Sequence, residues 1–260
     1  MALRTQQDYN LAVASDAGAS DGAGLAAFEP IEQLRAHEYV AEQLRRHIGL
    51  HLVSVGEALP SERDLSVMFG VGRATVQAAL RLLEAERIVE TRRGRHGGTF
   101  VTAQVDDDIA KDYLLVRLRR DRSRISEALQ FRRTVDMLAA AFAAKQGSKD
   151  DVRQIRLANE RTGAAQTDAS FMAHDTEFHL AIATAAHNGF VYQAVEEMRL
   201  VLNDAIAALP ESRGWQRRTV TEHAAILEAI ESGDESAASA AMGRHVAGTE
   251  KSVTALLAAL

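Results

Sequence analysis

Asp175 and His179 stand four residues apart, His223 lies in Thr221-Glu-His-Ala-Ala-Ile226, and His245 in Gly243-Arg-His-Val246. A spacing of four places Asp175 and His179 on one face of a helix. One carboxylate and three imidazoles drawn from three helices could converge on a divalent cation, and this donor set suits Zn, Ni, Mn or Fe. The spacing leaves a second reading open, because Asp-x-x-x-His recurs by chance and a histidine on an apolar face is commonly a hydrogen-bonded core residue. His174 and His187 are neighbours in sequence, but His174 lies about 100° round the helix from Asp175 and should point elsewhere.

A second set of residues suits a different chemistry. Arg73, Gln77 and Arg81 recur at i, i+4 and i+8, opposite Val76, Ala79, Leu80 and Leu83. Arginine pairs with guanine and glutamine with adenine in the DNA major groove, so this outer face suits base reading. Thr75 and Arg63 could hold phosphates. Arg92-Arg-Gly-Arg-His-Gly-Gly98 could enter the adjacent groove, with Gly97 and Gly98 allowing close backbone approach. A solvated helix face beside an ordinary hairpin is the competing interpretation.

The elements needed to position these groups are legible in order. Ile31, Leu34, Val40, Leu44 and Ile48 fall largely on one helical face, ended by Gly49. Ser61-Glu-Arg-Asp64 is a capping box that opens a short second helix. Phe69-Gly-Val-Gly72 is a turn, and a third helix starts near Arg73. Ile88–Thr91 and Thr99–Thr102 read as two strands around the basic turn. This order is that of a winged helix-turn-helix. Beyond Asp106-Asp-Asp108 every segment reads as helix, at about 106–119, 124–146, 150–166, 169–187, 190–209, 214–232 and 235–258. Breaks fall at Asp121, Gly147-Ser148, Gly163, Asn188-Gly189, Pro210 and Gly233-Asp234. The expected fold is mainly α, a winged helix-turn-helix followed by a helical bundle.

Composition narrows the alternatives. The 260 residues contain no cysteine, which excludes disulfides, thiolate zinc sites and cysteine nucleophiles. The longest apolar run, Met137 to Ala144, has eight residues, far short of the ~18 a membrane helix needs. With no apolar signal core after Arg4, a cytoplasmic protein is expected. The net charge is −6, yet Arg73 to Arg95 hold six arginines against three acids. A polyanion would bind there. Residues 1–30, rich in Ala, Asp, Gly and Ser, read as a disordered tail.

The residues also carry a family likeness. Leu59-Pro-Ser-Glu-Arg-Asp-Leu65, Phe69-Gly-Val-Gly-Arg-Ala-Thr-Val76, Ala79-Leu80-x-Leu82-Leu83 and Gly97-Gly-Thr-Phe-Val101 together resemble the winged helix of GntR-type bacterial transcription regulators. The resemblance implies DNA contacts from Arg63, Arg73, Thr75 and the wing tip, His96-Gly97. Gly72 replaces the usual serine before the recognition helix. Gln77 replaces an arginine common in the FadR branch, which implies a different operator. Phe171-x-x-x-Asp175-x-x-Phe178-His179-x-Ala-Ile182, Glu222-His-x-x-Ile226-Leu-x-Ala-Ile230-x-x-Gly-Asp234 and His245 resemble the all-helical FCD effector domain of that branch. In its metal-binding members the matching Asp and three His hold a divalent cation, whereas its acyl-CoA-binding members lack this set. Arg132 matches an arginine that faces the effector cavity, and Asp136 stands where the family usually has Glu. Arg133 is read as a surface partner of Asp136.

The resulting expectation is a dimeric, sequence-specific DNA-binding regulator, with residues 31–103 reading an inverted-repeat operator. Residues 104–123 form a linker and connecting helix, and 124–260 an effector-binding and dimerisation domain. The effector expected at the metal and Arg132 is a small carboxylate or hydroxy acid. The competing classes are a metallohydrolase using Glu177 or Glu222 as base and a DNA-bending protein without effector.

Overall fold

Local sequence signals account for most of the element boundaries. The computed structural model describes residues 35–94, 97–102, 107–209 and 213–260, with the side chains of 107–113 excepted. The expected tail, together with Ile31 and Leu34, lies outside the described residues. Helix α1, Ala36–Gly49, buries Val40, Ala41 and Leu44. Helix α2, Glu62–Phe69, is capped by Ser61, whose Oγ accepts from the Asp64 N–H at 3.2 Å. The reciprocal half of the box differs from expectation. The Asp64 carboxylate accepts from the Ser61 hydroxyl at 2.6 Å, not from its backbone N–H. Gly70, at φ +64°, supplies the left-handed residue that ends the helix.

Helix α3, Arg73–Ala85, turns Val76, Ala79, Leu80 and Leu83 inward. Strands β1, Val89–Arg92, and β2, Gly98–Val101, pair antiparallel, with Val89 opposite Val101 and Arg92 opposite Gly98. Val89 and Val101 close one core with Val40, Leu44, Leu59, Leu65 and the apolar face of α3. The architecture is a winged helix-turn-helix.

Among the described residues seven further helices form the bundle: α4 Asp107–Arg120, α5 Arg122–Gln146, α6 Lys149–Ala164, α7 Asp168–Ala185, α8 Gly189–Ala207, α9 Arg213–Glu231 and α10 Glu235–Ala259. Several of the starts follow side-chain caps. Ser148 and Asp151 cap each other's backbone in a full capping box. Asn188 accepts from the N–H groups of Phe190 and Val191, and Asp234 from that of Ala237. Gly163 does not break its helix, which runs on to Ala164. The central core draws Val135, Ala139 and Ala140 from α5, Ile155 from α6, Phe178 and Ile182 from α7, Ile226 and Ile230 from α9, and Met242 and Val246 from α10. A second cluster joins Leu118, Ile125, Leu129, Met172, Leu202, Ile206, Val253 and Leu257.

The winged helix and the bundle belong to one compact unit, Leu34–Leu260. Leu50, the residue after α1, is buried in the bundle's core and not in that of the winged helix. Leu83 is fully enclosed at the centre of the smaller core. Leu83→Ala should therefore cost about 2–5 kcal/mol, seen as a lowered urea midpoint for winged-helix unfolding. An unchanged midpoint contradicts the packing described.

Candidate metal centre and DNA-reading surface

Helix α7 carries Asp175 and His179 one turn apart, α9 carries His223 and α10 carries His245. All four are buried, at 5%, 2%, 0% and 2% exposure. One ligand atom from each lies within 4.8 Å of the others. His179 Nε2 is 3.2 Å from His245 Nε2, and His223 Nε2 is 3.5 Å from a carboxylate oxygen of Asp175. Donors bonded at about 2.0–2.1 Å to one cation lie ~3–4 Å apart, so the residues fit such a group. The unmet polar atoms fit it too. Neither ring nitrogen of His223 has a hydrogen-bond partner, although the ring is fully buried. A donor or acceptor left so costs about 1–3 kcal/mol.

A surrounding layer orients the rings. His245 Nδ1 is held 2.9 Å from Glu222 Oε2, which turns Nε2 toward the other donors. The His223 ring stacks on Phe178 at a centroid distance of 3.8 Å. His179 Nδ1 lies 3.5 Å from Asp136 Oδ2, long for a hydrogen bond but within electrostatic reach. Arg199 Nη2 donates to Asp175 Oδ2 at 2.7 Å and to Thr176 Oγ1 at 2.7 Å. Arg132 is buried on α5. Its Nε donates to Asp136 Oδ2 at 3.0 Å, its Nη2 lies 3.4 Å from His179 Nε2, and its Nη1 has no partner. The ion pair with Asp136 is thus internal and belongs to Arg132. Arg133 is exposed, while Asp136 is buried, against the expectation that the two would pair at the surface.

Burial and these charges set the protonation states. Burial lowers His179 to about 4 and His223 well below its ordinary range. Both rings are therefore neutral at pH 7, as metal ligation requires. Burial alone would raise Asp175 and Asp136. The Arg199 guanidinium holds Asp175 well below the usual carboxylate range, while the polar contact with His179 and the Arg132 guanidinium hold Asp136 at about 2. His174 and His187 stand apart, paired with Glu177 at 3.0 Å and Asp151 at 2.9 Å.

The DNA-facing candidates lie on the winged helix. Arg63, Arg73, Gln77 and Arg81 are exposed and Thr75 is half-buried. Arg73 is the first residue of α3, whose N-terminal N–H groups can meet a phosphate. Gln77 Nε2 donates to Glu62 Oε2 at 2.8 Å, so the base-reading candidate rests on its neighbour helix. Gly97 has a nearer purpose than approach to a ligand, since a Cβ there would lie 2.4 Å from the Arg92 carbonyl. The turn admits only glycine. His96 lies outside the described residues.

Arg199, Thr176 and Asn203 escaped the sequence reading. A signal existed, because Arg199 sits in the helical phase of Val195, Leu202 and Ile206, where α8 is buried. An arginine in an apolar stripe needs a partner inside.

Comparison with known proteins gives the family. The sequence profile of the gntR family of bacterial regulatory proteins matches residues 36–101, and that of the FCD domain matches residues 127–248. A putative L-lactate dehydrogenase operon regulatory protein of Escherichia coli K12 is 31% identical over 224 residues, covering 82% of this chain and 84% of that protein. The chain belongs to the GntR family. The Uxu operon regulator of Haemophilus influenzae is 28% identical over 221 residues, covering 82% of this chain and 79% of its own. The solved structure of E. coli McbR/YncC has a TM-score of 0.49 at 15% identity, covering 87% of this chain and 99% of that one. This GntR regulator is a DNA-binding transcription regulator with an FCD domain, not an enzyme. The hydrolase alternative is thereby set aside. Among the described residues no helix is long and apolar enough to cross a membrane.

The shifted histidines imply a pH dependence. Unfolded chains bind protons at His179 near 6.5, while the folded chain does so only near 4. Its contribution is complete above pH 6.5 and is lost as pH falls toward 4, amounting to about 3 kcal/mol. Metal-free protein in EDTA should therefore melt at a steady temperature above pH 7 and at falling temperatures from pH 6.5 to 4.5. Invariant melting across that interval contradicts the assigned neutral rings.

Proposed function

We propose that this regulator binds an inverted-repeat operator as a homodimer and that a small carboxylate or hydroxy acid, held at a divalent metal in the FCD domain, controls its operator affinity. Asp175, His179, His223 and His245 would hold the metal, and Arg132 a carboxylate of the effector. The observation that carries the reading is the closed convergence of those four ligands beside a buried arginine whose Nη1 lacks a partner. When bound, a divalent cation supplies a Lewis-acidic anchor, with up to two positions of a six-coordinate ion left for oxygen donors. Zn, Ni, Mn and Fe all suit the donor set.

Charge supports an anionic effector. The four buried ions, Arg132, Arg199, Asp136 and Asp175, cancel one another, so a divalent cation leaves the interior positive and favours an anion over a neutral sugar. Arg132 would add a charge-assisted hold. One relative is named for the operon of an L-lactate dehydrogenase, an enzyme of a hydroxy acid.

In this reading residues 31–103 read DNA, 104–123 connect, and 124–260 bind effector and dimerise. Arg73 and Gln77 would contact bases, Arg63 and Thr75 phosphates, and the wing His96-Gly97 the neighbouring groove. Two winged helices on half-sites about one turn apart supply the affinity that one lacks. The protein would act in the cytoplasm, beside its DNA.

In salt-matched gel shifts, wild type should bind an inverted repeat at two chains per duplex, and Arg73→Ala should lose about 1–3 kcal/mol of binding. Equal affinity of the two proteins defeats the DNA assignment. Calorimetry of Zn-loaded protein with a panel of organic acids tests the effector. One acid should bind wild type, bind Arg132→Ala more weakly, fail with His223→Ala, and change operator affinity. An acid that binds all three alike, or leaves the operator complex unchanged, defeats the effector reading, since a ligand with no preference between states shifts nothing.

A further inference from the structure

The bundle and the winged helix meet where α1 ends. Gly49 brings α1 against α8, and a Cβ there would lie 3.1 Å from Leu200. Leu50 follows, 1% exposed and packed in the bundle core. His51 then takes a left-handed backbone at φ +59°, unusual for a residue with a side chain. Its Nε2 lies 3.1 Å from Asp204 Oδ1, and Asp204 also pairs with Arg117 of α4. On the outer side Arg46 pairs with Glu196 and Glu197 of α8.

Inside this junction runs a continuous polar line. Asn203 Nδ2 donates to the Leu50 carbonyl at 2.9 Å and to Thr176 Oγ1 at 3.2 Å. Thr176 Oγ1 also accepts from Arg199 Nη2, which donates to Asp175. The Thr176 hydroxyl itself donates to the Met172 carbonyl at 2.9 Å. Its one donor and two acceptor positions are all used. Asn203 and Thr176 are fully buried, and Arg199 is 1% exposed. No solvent-exposed side chain interrupts the line from the candidate metal ligand to the winged-helix backbone.

We propose that Asp175, Arg199, Thr176 and Asn203 form a relay that couples occupation of the metal centre to the position of Leu50, and through α1 to the recognition helix α3. The relay rests on the metal-centre reading above and adds the route by which that site acts on DNA binding. Two features give the line room to shift. Arg199 Nε and Nη1 and Asn203 Oδ1 have no hydrogen-bond partners, so each keeps unused capacity to pair. Asp175 is shared, because Arg199 holds its Oδ2 while its Oδ1 faces His223, so a cation drawing on Oδ1 would weaken the charge that holds Arg199. At the other end, Val40 and Leu44 of α1 pack in one core with Val76, Ala79, Leu80 and Leu83 of α3. A shift of Leu50 therefore moves the helix that supports α3.

A packed line of side chains does not by itself establish coupling, so the test reads binding and response separately. Full-length wild type, Asn203→Leu, Thr176→Val and Thr176→Ser are titrated with Zn2+. Binding is followed by competition with a chromophoric chelator, and amide exchange over residues 47–54 by mass spectrometry. In wild type, Zn2+ should change exchange in that segment by at least about fivefold, the low end of allosteric coupling. Asn203→Leu and Thr176→Val should bind Zn2+ within about threefold of wild type yet lose the response, and Thr176→Ser, which keeps the hydroxyl, should retain it. If Asn203→Leu does not fold, the Thr176 pair decides. Zn2+ binding by wild type without a change at 47–54, or an undiminished response in the folded relay variants, overturns the relay alone. Failure of wild type to bind Zn2+ overturns the metal-centre reading and the relay with it.

Discussion

An aspartate at 5% exposure has lost most of its hydration, at a cost of several kcal/mol for an isolated ion. Asp175 stays ionised because the Arg199 guanidinium lies 2.7 Å from it. That pair sets the terms for the rest of the bundle's interior. Arg199 is itself buried, its pKa lowered by burial against the opposing charge of Asp175, and it needs a second acceptor, which Thr176 supplies. Thr176 in turn fixes Asn203. A second pair, Arg132 with Asp136, balances charge on the opposite side of the histidines. Removing one member of either pair leaves an uncompensated buried charge.

Local chemistry explains what was legible in the sequence. The bundle's helix starts follow from Ser148, Asn188 and Asp234, whose side chains satisfy N–H groups that no helix can satisfy alone. The inward face of α3 follows from residue spacing. Asp175 and His179 were readable as a pair because one helix carries both. That His223 and His245 reach the same point is a property of how α7, α9 and α10 pack, and no local pattern encodes it. Family likeness, not periodicity, supplied that convergence. Arg199, Thr176 and Asn203 were missed for a related reason. Each makes its decisive contact with an element distant in sequence, and arginine and asparagine are ordinary surface residues unless their helical phase is checked.

The winged helix shows how one residue can answer to two demands. Gln77 faces outward, yet its amide rests on Glu62 of α2. In the proposed base contact it would have to leave that acceptor to pair with adenine. A longer, charged arginine at this position would hold Glu62 as an ion pair. The glutamine gives a tie weaker than an ion pair, which lowers the cost of release, and in the proposed contact it would favour adenine where arginine favours guanine.

Asp136 illustrates the same economy of reach within the bundle. The resemblance implies a glutamate at this position, one methylene longer. The shorter aspartate stops 3.5 Å from His179 Nδ1, which is left without a hydrogen bond, while keeping its 3.0 Å contact with Arg132 Nε. The carboxylate therefore anchors the arginine more firmly than it orients the imidazole. Because the hold is through Nε, the far end of the guanidinium stays available, with Nη2 beside His179 and Nη1 unpartnered. A longer side chain closer to His179 would strengthen that ring's orientation at the expense of the arginine. In the proposed site the aspartate would thus favour grip on an anion over rigidity of one candidate ligand. His245, tied to Glu222 at 2.9 Å, and His223, stacked on Phe178, are left to set the orientation of the donor set.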